Sequence, residues 1–332
     1  MSAAQTQSRS VLAGIADDPL LEISGLVVET GPARRPIELL RSIELAIPKG
    51  ARVGVVGESG SGKSMTASAI LGVLPNGVRA RAGTIRFDGR DLMTLPEREM
   101  RRIRGGEISL VSQNAVASLN PLMTVGAQIA KVCREHTGVS KQEAWTRTVE
   151  LLDALGIPEP DVRARSYPHH FSGGMAQRVA IAMALICSPQ LVIADEPTTG
   201  LDATIQAQVL EVIDGSVKAS GAALLLISHD LAVIRAMCDI VAVVYAGSLL
   251  EYGPADEVLN RPLSPYTQGL IRCMDPPEGE IAFIPGRIPE PGTLGAGCPF
   301  AERCDRATDA CRAQQPALRQ LRPDHWVSCH HE

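Results

Sequence analysis

Residues 57–64 read Gly57-Glu58-Ser59-Gly60-Ser61-Gly62-Lys63-Ser64, directly after the short run Arg52-Val-Gly-Val-Val56 and directly before the Ala-rich stretch Met65–Val73. The glycines let successive backbone N–H groups turn inward and form a nest for an anion. The stretch that follows has helical spacing, so the positive end of a helix points at the same place. Lys63 adds a positive charge, and Ser64 adds a hydroxyl able to ligate a divalent cation. Strand, glycine loop and helix in this order satisfy the full pattern G-x-x-x-x-G-K-[ST] in its required context. They predict a site for the phosphates of a nucleotide with Mg²⁺.

Further along, Leu191-Val-Ile-Ala-Asp195-Glu196 is an apolar strand ending in two carboxylates. Such a strand places Asp195 at the sheet edge facing the metal, and Glu196 one residue on can orient or deprotonate a water. Alone the pattern is common; paired with residues 57–64 it describes a P-loop hydrolase. Other strand signals begin at Leu20 and lie at Ile43–Ile47, Ala82–Phe87, Glu107–Ser112, Ala222–Ile227 and Ile240–Val244. Helical spacing marks Val125–Val132, Ala144–Leu155, Gly173–Ile186, Thr204–Lys218 and Leu231–Met237. The alternation predicts an α/β P-loop NTPase core with a mostly parallel sheet. The helical stretch, about 116–188, reads as an inserted subdomain. Residues 1–19 read as a flexible lead-in, 20–256 as the nucleotide-binding domain, and 257–332, dense in Pro and Gly, as a small irregular Cys-rich extension.

Composition narrows the class. Aromatics are 3% of the chain, so the core must be built from Ala, Val, Ile and Leu, as buried parallel sheets are. A net charge of −5 offers no global basic excess for nucleic acid. Local arginines (Arg79, Arg81, Arg86, Arg90, Arg98, Arg101, Arg102, Arg104) form either a solvated face or a surface for a partner protein or lipid headgroups. No apolar run approaches the roughly 18 residues that span a bilayer, and Met1–Pro19 lacks the apolar centre of a secretory signal. These features predict a soluble, cytoplasmic chain whose membrane role comes through partners.

Phe171-Ser172-Gly173-Gly174-Met175-Ala-Gln177 precedes Asp195-Glu196; Gln113, the run Thr199-Gly-Leu-Asp202, and His229 after a strand complete the set. In order and interval, across about residues 20–256, these resemble the signature motif, Q-loop, D-loop and switch histidine of ABC ATPases. The resemblance implies ATP and Mg²⁺ as ligands, with Ser64 and Gln113 at the metal and Glu196, His229 and Gln113 in catalysis. It implies too that Ser172, Gly173, Gly174, Met175 and Asp202 cap ATP held by a partner subunit, so two chains sandwich two nucleotides.

Asn120-Pro-Leu-Met-Thr-Val-Gly126, Tyr167-Pro-His, Ile181-Ala-Met-Ala-Leu185 and Ile205-Gln-Ala-Gln-Val209 look like the D-type subunits of oligopeptide, dipeptide and nickel importers. Ser264-Pro-Tyr-Thr-Gln268 and Gly297-Cys-Pro-Phe300 resemble that family's C-terminal extension. The resemblance implies an ATPase energising import of peptides or peptide-like solutes, with nickel or another small solute as the alternative. The implied partners are a second, homologous ATPase subunit rather than a copy of itself, two transmembrane permease subunits and, indirectly, an external solute-binding protein. It implies a place at the cytoplasmic face of the plasma membrane. A soluble, non-transport ABC ATPase would carry two cassettes or a long coiled-coil insertion, and neither is visible in the sequence.

Two features depart from or extend this picture. Between Leu20 and Gly57 there is no aromatic residue to stack on adenine, which predicts weaker ATP binding or aliphatic contacts to the base. The tail carries Cys298, Cys304, Cys311 and Cys329. Their spacing lacks the C-x₂-C knuckles usual for zinc, whereas Cys₄ ligation of iron–sulfur clusters tolerates varied spacing. The resemblance implies a [4Fe–4S] cluster; zinc and free thiols are the alternatives, with His325, His330 and His331 as substitute ligands or plain tail residues.

Overall fold

The computed structural model describes residues 18–32, 34–112, 115–199, 203–274 and 282–331. They form two compact units, one built from residues up to Leu95 together with those from Ile227 onward, the other from Pro96–Leu226.

The first unit opens with β1 (Leu21–Thr30), β2 (Ile37–Ile47), β3 (Arg52–Val56), α1 (Lys63–Ile70), β4 (Val78–Phe87) and β5 (Arg90–Asp91). β1 pairs antiparallel with β2 and β4, in the sheet order β2-β1-β4-β5. Leu21 and Ile23 are buried, then Leu26 and Val28; the alternation changes phase where the β1 register shifts, at Gly25 (φ 59°). β2 starts at Ile37 rather than Ile43, because its outer half pairs with Val28–Thr30 of β1. Two of the eight arginines of the run are consumed here: Arg79 and Arg81 lie 2.5 and 3.2 Å from the buried Glu29 carboxylate, and Arg81 lies 2.8 Å from Glu38.

The second unit holds α2 (Glu97–Ile103), β6 (Ile108–Val111), α3 (Ala115–Ser118), α4 (Val125–Thr137), α5 (Lys141–Ala154), α6 (Pro160–Ala164), α7 (Gly173–Leu185), β7 (Leu191–Asp195), α8 (Ala203–Ser220) and β8 (Ala223–Ile227). β6 and β7 pair in parallel, and the strand order is β8-β7-β6. The α4–α5 hairpin is written in its caps. α4 stops at Gly138 in the left-handed region (φ 71°), and α5 starts at Ser140, whose Oγ accepts the Glu143 N–H. On α2, Arg101 and Arg104 pair with Glu97.

Returning to the first unit, the chain forms α9 (Leu231–Met237), β9 (Ile240–Tyr245), β10 (Ser248–Pro254), α10 (Ala255–Asn260), α11 (Pro265–Met274), α12 (Asp309–Ala313), β11 (Arg319–Arg322) and β12 (His325–Val327). β3 and β9 are parallel neighbours, and β10, β12 and β11 continue the order antiparallel, as β11-β12-β10-β9-β3. The tail is therefore less irregular than its composition predicts: it adds two strands to the core sheet. At the joint, His325 Nε2 and Glu251 Oε1 are 2.7 Å apart with both side chains fully buried. The Glu251 carboxylate also accepts the N–H groups of Leu263 and Ser264 at 2.8 and 2.9 Å. Among the described residues no helix is long and apolar enough to cross a membrane.

Candidate nucleotide-binding site

The first unit supplies the phosphate loop, in the turn from β3 into α1. Gly57, Gly60 and Gly62 have φ of 152°, 81° and 106°. A Cβ on Gly57 would lie 2.0 Å from the Val244 carbonyl oxygen, so no side chain fits there. Lys63 is buried, and its Nζ donates to the carbonyls of Gly57 (2.8 Å) and Glu58 (3.0 Å). Ser61 N donates to Glu58 O (3.2 Å), and Gly247 N donates to Ser61 O (2.8 Å), which closes the loop against the β9–β10 turn. Ser59, Gly60 and Ser64 are exposed, while the Ser61 hydroxyl is buried without a protein partner. Thr66 donates back to Gly62 O through both N and Oγ1. The result is a backbone cradle with an ammonium group at its side, suited to a polyphosphate. His229 is exposed, two residues past the end of β8; its neighbour Asp230 caps α9 by accepting the N–H groups of Ala232 and Val233.

In the second unit, β7 ends with Asp195 half-buried, and Glu196 follows with φ 47°. A left-handed conformation costs a non-glycine residue on the order of 1 kcal/mol or more, and it is stored where the backbone must aim a group. Thr199 Oγ1 donates to Glu196 Oε2 at 2.8 Å. The signature segment begins α7: Ser172 is its N-cap, with Oγ accepting the Met175 N–H at 3.4 Å. Ser172 and Gly173 are exposed, with Gly174 and Met175 half-buried behind them, so the positive end of a 13-residue helix faces outward. Gln177 closes the signature segment, and its residue type and position alone imply no role. It is buried, and its Nε2 donates to Pro197 O at 2.6 Å, tying the signature helix to the residue after Glu196. Gln113 and Asp202 lie outside the described residues.

The four tail cysteines are free thiols that line one small cavity of about 20 Å³, together with Leu250, Phe300 and His331. Burial, then Cys329, Cys311 and Cys304, push the Cys298 thiol up to about 11. Burial, then Asp305, Cys329 and Cys311, push Cys304 up as well. Four soft sulfurs are the donor type that ligates iron–sulfur clusters, and the space they line is of a size for about one water. Among the described residues no three His, Cys, Asp or Glu side chains converge as they would around a single metal ion. His325, entertained as a substitute ligand, is taken up by Glu251 instead.

A glycine loop opening a helix beside parallel strands, an acid-ended strand and a serine-capped Gly-Gly helix define a P-loop ATPase of the cassette class. The chain belongs to the ATP-binding subunits of ABC transporters. The family described as "ABC transporter" matches residues 40–199, and "Oligopeptide/dipeptide transporter, C-terminal region" matches residues 250–311. The chain is 42% identical over 313 residues to the oligopeptide transport ATP-binding protein OppD of Salmonella typhimurium, covering 93% of each chain. It is 41% identical to the dipeptide transport ATP-binding protein DppD of Escherichia coli, covering 94% of this chain and 96% of that one. Its fold is similar to that of the ATP-binding cassette MJ0796, solved as a dimer in a post-hydrolysis state with ADP and Pi. That likeness has a TM-score of 0.64 and 25% identity over 71% of this chain and 98% of that one. The chain is thus an ABC-type ATPase with a mixed, mostly parallel α/β fold.

Proposed function

We propose that this chain is the ATP-hydrolysing subunit of a peptide importer at the cytoplasmic face of the plasma membrane. The observation that carries the reading is the likeness to peptide-transport ATP-binding proteins over almost the whole chain, C-terminal region included. Residues 57–64 hold the phosphates, with backbone N–H groups on the oxygens and Lys63 on the β- and γ-phosphates; Ser64, Asp195 and Gln113 would hold Mg²⁺, whose charge would offset that of the phosphates. Glu196 orients the attacking water and takes its proton, and His229 touches the γ-phosphate. Catalysis then comes from positioning and charge stabilisation, with no covalent intermediate. Ser172, Gly173, Gly174, Met175 and Asp202 close on the ATP of a second, homologous subunit. The α4–α5 hairpin presents a groove of about 950 Å³ lined by Met123, Ala127, Lys131, Arg134 and Trp145, suited to a permease segment. An external binding protein delivers the solute.

The test is Glu196→Gln in the assembled transporter. ATP should still bind, hydrolysis should fall at least about 100-fold, and cells relying on the variant should lose uptake of labelled di- and oligopeptides while keeping nickel uptake. Near-normal hydrolysis would remove Glu196 from this role, and loss of nickel uptake alone would reassign the solute.

Within the same reading, Cys298, Cys304, Cys311 and Cys329 hold an iron–sulfur cluster that fastens the extension. The support is the shared cavity of the four thiols. Iron and sulfide analysis on anaerobically purified chain should give about four irons per chain, as a Cys₄ cubane requires. Stoichiometric zinc, or no metal at all, would refute it.

A further inference from the structure

Arg303 belongs to the C-terminal extension and directly precedes Cys304, yet its side chain is only 5% exposed. Each N–H of its guanidinium has an acceptor. Nε donates to Pro285 O (2.7 Å), Nη1 to Glu58 Oε2 (2.8 Å) and the Tyr245 hydroxyl (3.2 Å), and Nη2 to Glu58 Oε1 (3.2 Å) and Ile284 O (3.1 Å). The rings of Tyr245 and Phe300 lie 5.7 and 5.9 Å from its central carbon. A guanidinium this deeply buried is tolerated only when fully paired, and here the pairing is bidentate.

The acceptor is not a neutral bystander. Glu58 is the second residue of the phosphate loop, and everything about it is fixed. Its carboxylate is gripped by Arg303, its N–H donates to the Tyr266 hydroxyl on α11 (3.0 Å), and its carbonyl accepts Lys63 Nζ (3.0 Å) and Ser61 N (3.2 Å). A carboxylate in a loop built to receive phosphate repels its own ligand unless a cation neutralises it and turns it away. The extension supplies that cation, and through Tyr266 a second hold on the same residue.

We propose that Arg303 is a positioning residue for nucleotide binding. It cancels the Glu58 charge and, with Tyr266, keeps the phosphate loop in its anion-accepting shape, so ATP affinity depends on the extension being folded onto the loop. The proposal rests on the reading of residues 57–64 as the site of the ATP phosphates. Equilibrium binding of a fluorescent ATP analogue with Mg²⁺ to the full-length chain tests it.

Arg303→Met should raise Kd about tenfold. Arg303→Lys, which keeps the charge and loses the fork, should raise it about threefold, and Tyr266→Phe should move it in the same direction. Whatever Glu58→Gln itself does to Kd, on that background Arg303→Met should cost no more than about twofold further. A purely structural arginine would lower thermal stability alike in both backgrounds and leave no such coupling. Unchanged Kd in Arg303→Met, or the same loss with and without Glu58, overturns the proposal; if Arg303→Met fails to fold, unchanged Kd in both Arg303→Lys and Tyr266→Phe does so. Lys63→Ala binding as tightly as the parent would instead indict the phosphate-loop reading.

Discussion

Cys238 shows how one side chain is disposed by its neighbours. It is the C-cap of α9 and 7% exposed, and a Cβ at Gly54 would lie 2.9 Å from Ile234 and 3.1 Å from its Sγ, so the glycine of β3 makes room for both side chains. Burial first, and then Asp239, push its thiol from 9.0 up to about 12, with Arg52 acting weakly the other way. The folded pKa lies above the unfolded one, so the folded state binds more protons between them. The thiol's contribution to stability is whole below pH 9 and is lost as pH rises toward about 12. Denaturant midpoints measured from pH 8 upward should therefore fall less steeply in Cys238→Ala than in the parent, although the variant starts lower by about 1 kcal/mol from the small cavity. Equal slopes would mean that the thiol ionises freely in the fold. At the same scale, the phosphate loop was legible because its chemistry lies in residue type and spacing. Arg303 was not, because an ion pair between residues 245 positions apart leaves no local signature.

Among elements, the buried strands were the easiest to read. Arg52–Val56, Leu191–Asp195, Ala223–Ile227 and Ile240–Tyr245 are short apolar runs, and the structure buries nearly every residue in them. Helices α5 and α7 start where Ser140 and Ser172 cap them, a signal the sequence carries openly. The tail strands carry no such signal. Arg319-Gln-Leu-Arg322 and His325-Trp-Val327 are short and mixed in polarity, and they are strands because β10 offers an edge. Glu251 on β10 and His325 on β12 make that edge specific, a buried hydrogen-bonded pair where a Pro-rich composition suggested loop. Pro and Gly counts describe the connections of the extension and miss the joint that fastens it. That joint, together with Arg303, attaches the cysteine-bearing segment to the strands and loop of the first unit.

For the molecule as a whole, the split between binding and turnover follows from the signature segment. Ser172 spends its Oγ on the Met175 N–H of its own helix, which leaves the outward-facing N–H groups at the start of α7 as the donors available to an anion. If those groups serve a second subunit's nucleotide, blocking them must spare ATP binding by this chain. Ser172→Arg puts a long side chain at the exposed cap. In the isolated full-length chain its Kd for ATP should stay within about twofold of the parent. In the transporter assembled with its partner ATPase and permeases, turnover should fall at least about 100-fold, the scale on which loss of a transition-state donor acts. The two readouts are independent, because the first needs no partner and the second needs every one. A variant that loses ATP affinity as an isolated chain would place the signature on its own nucleotide and end the sandwich arrangement. A variant that keeps both affinity and turnover would show that the positive end of α7 has no part in hydrolysis.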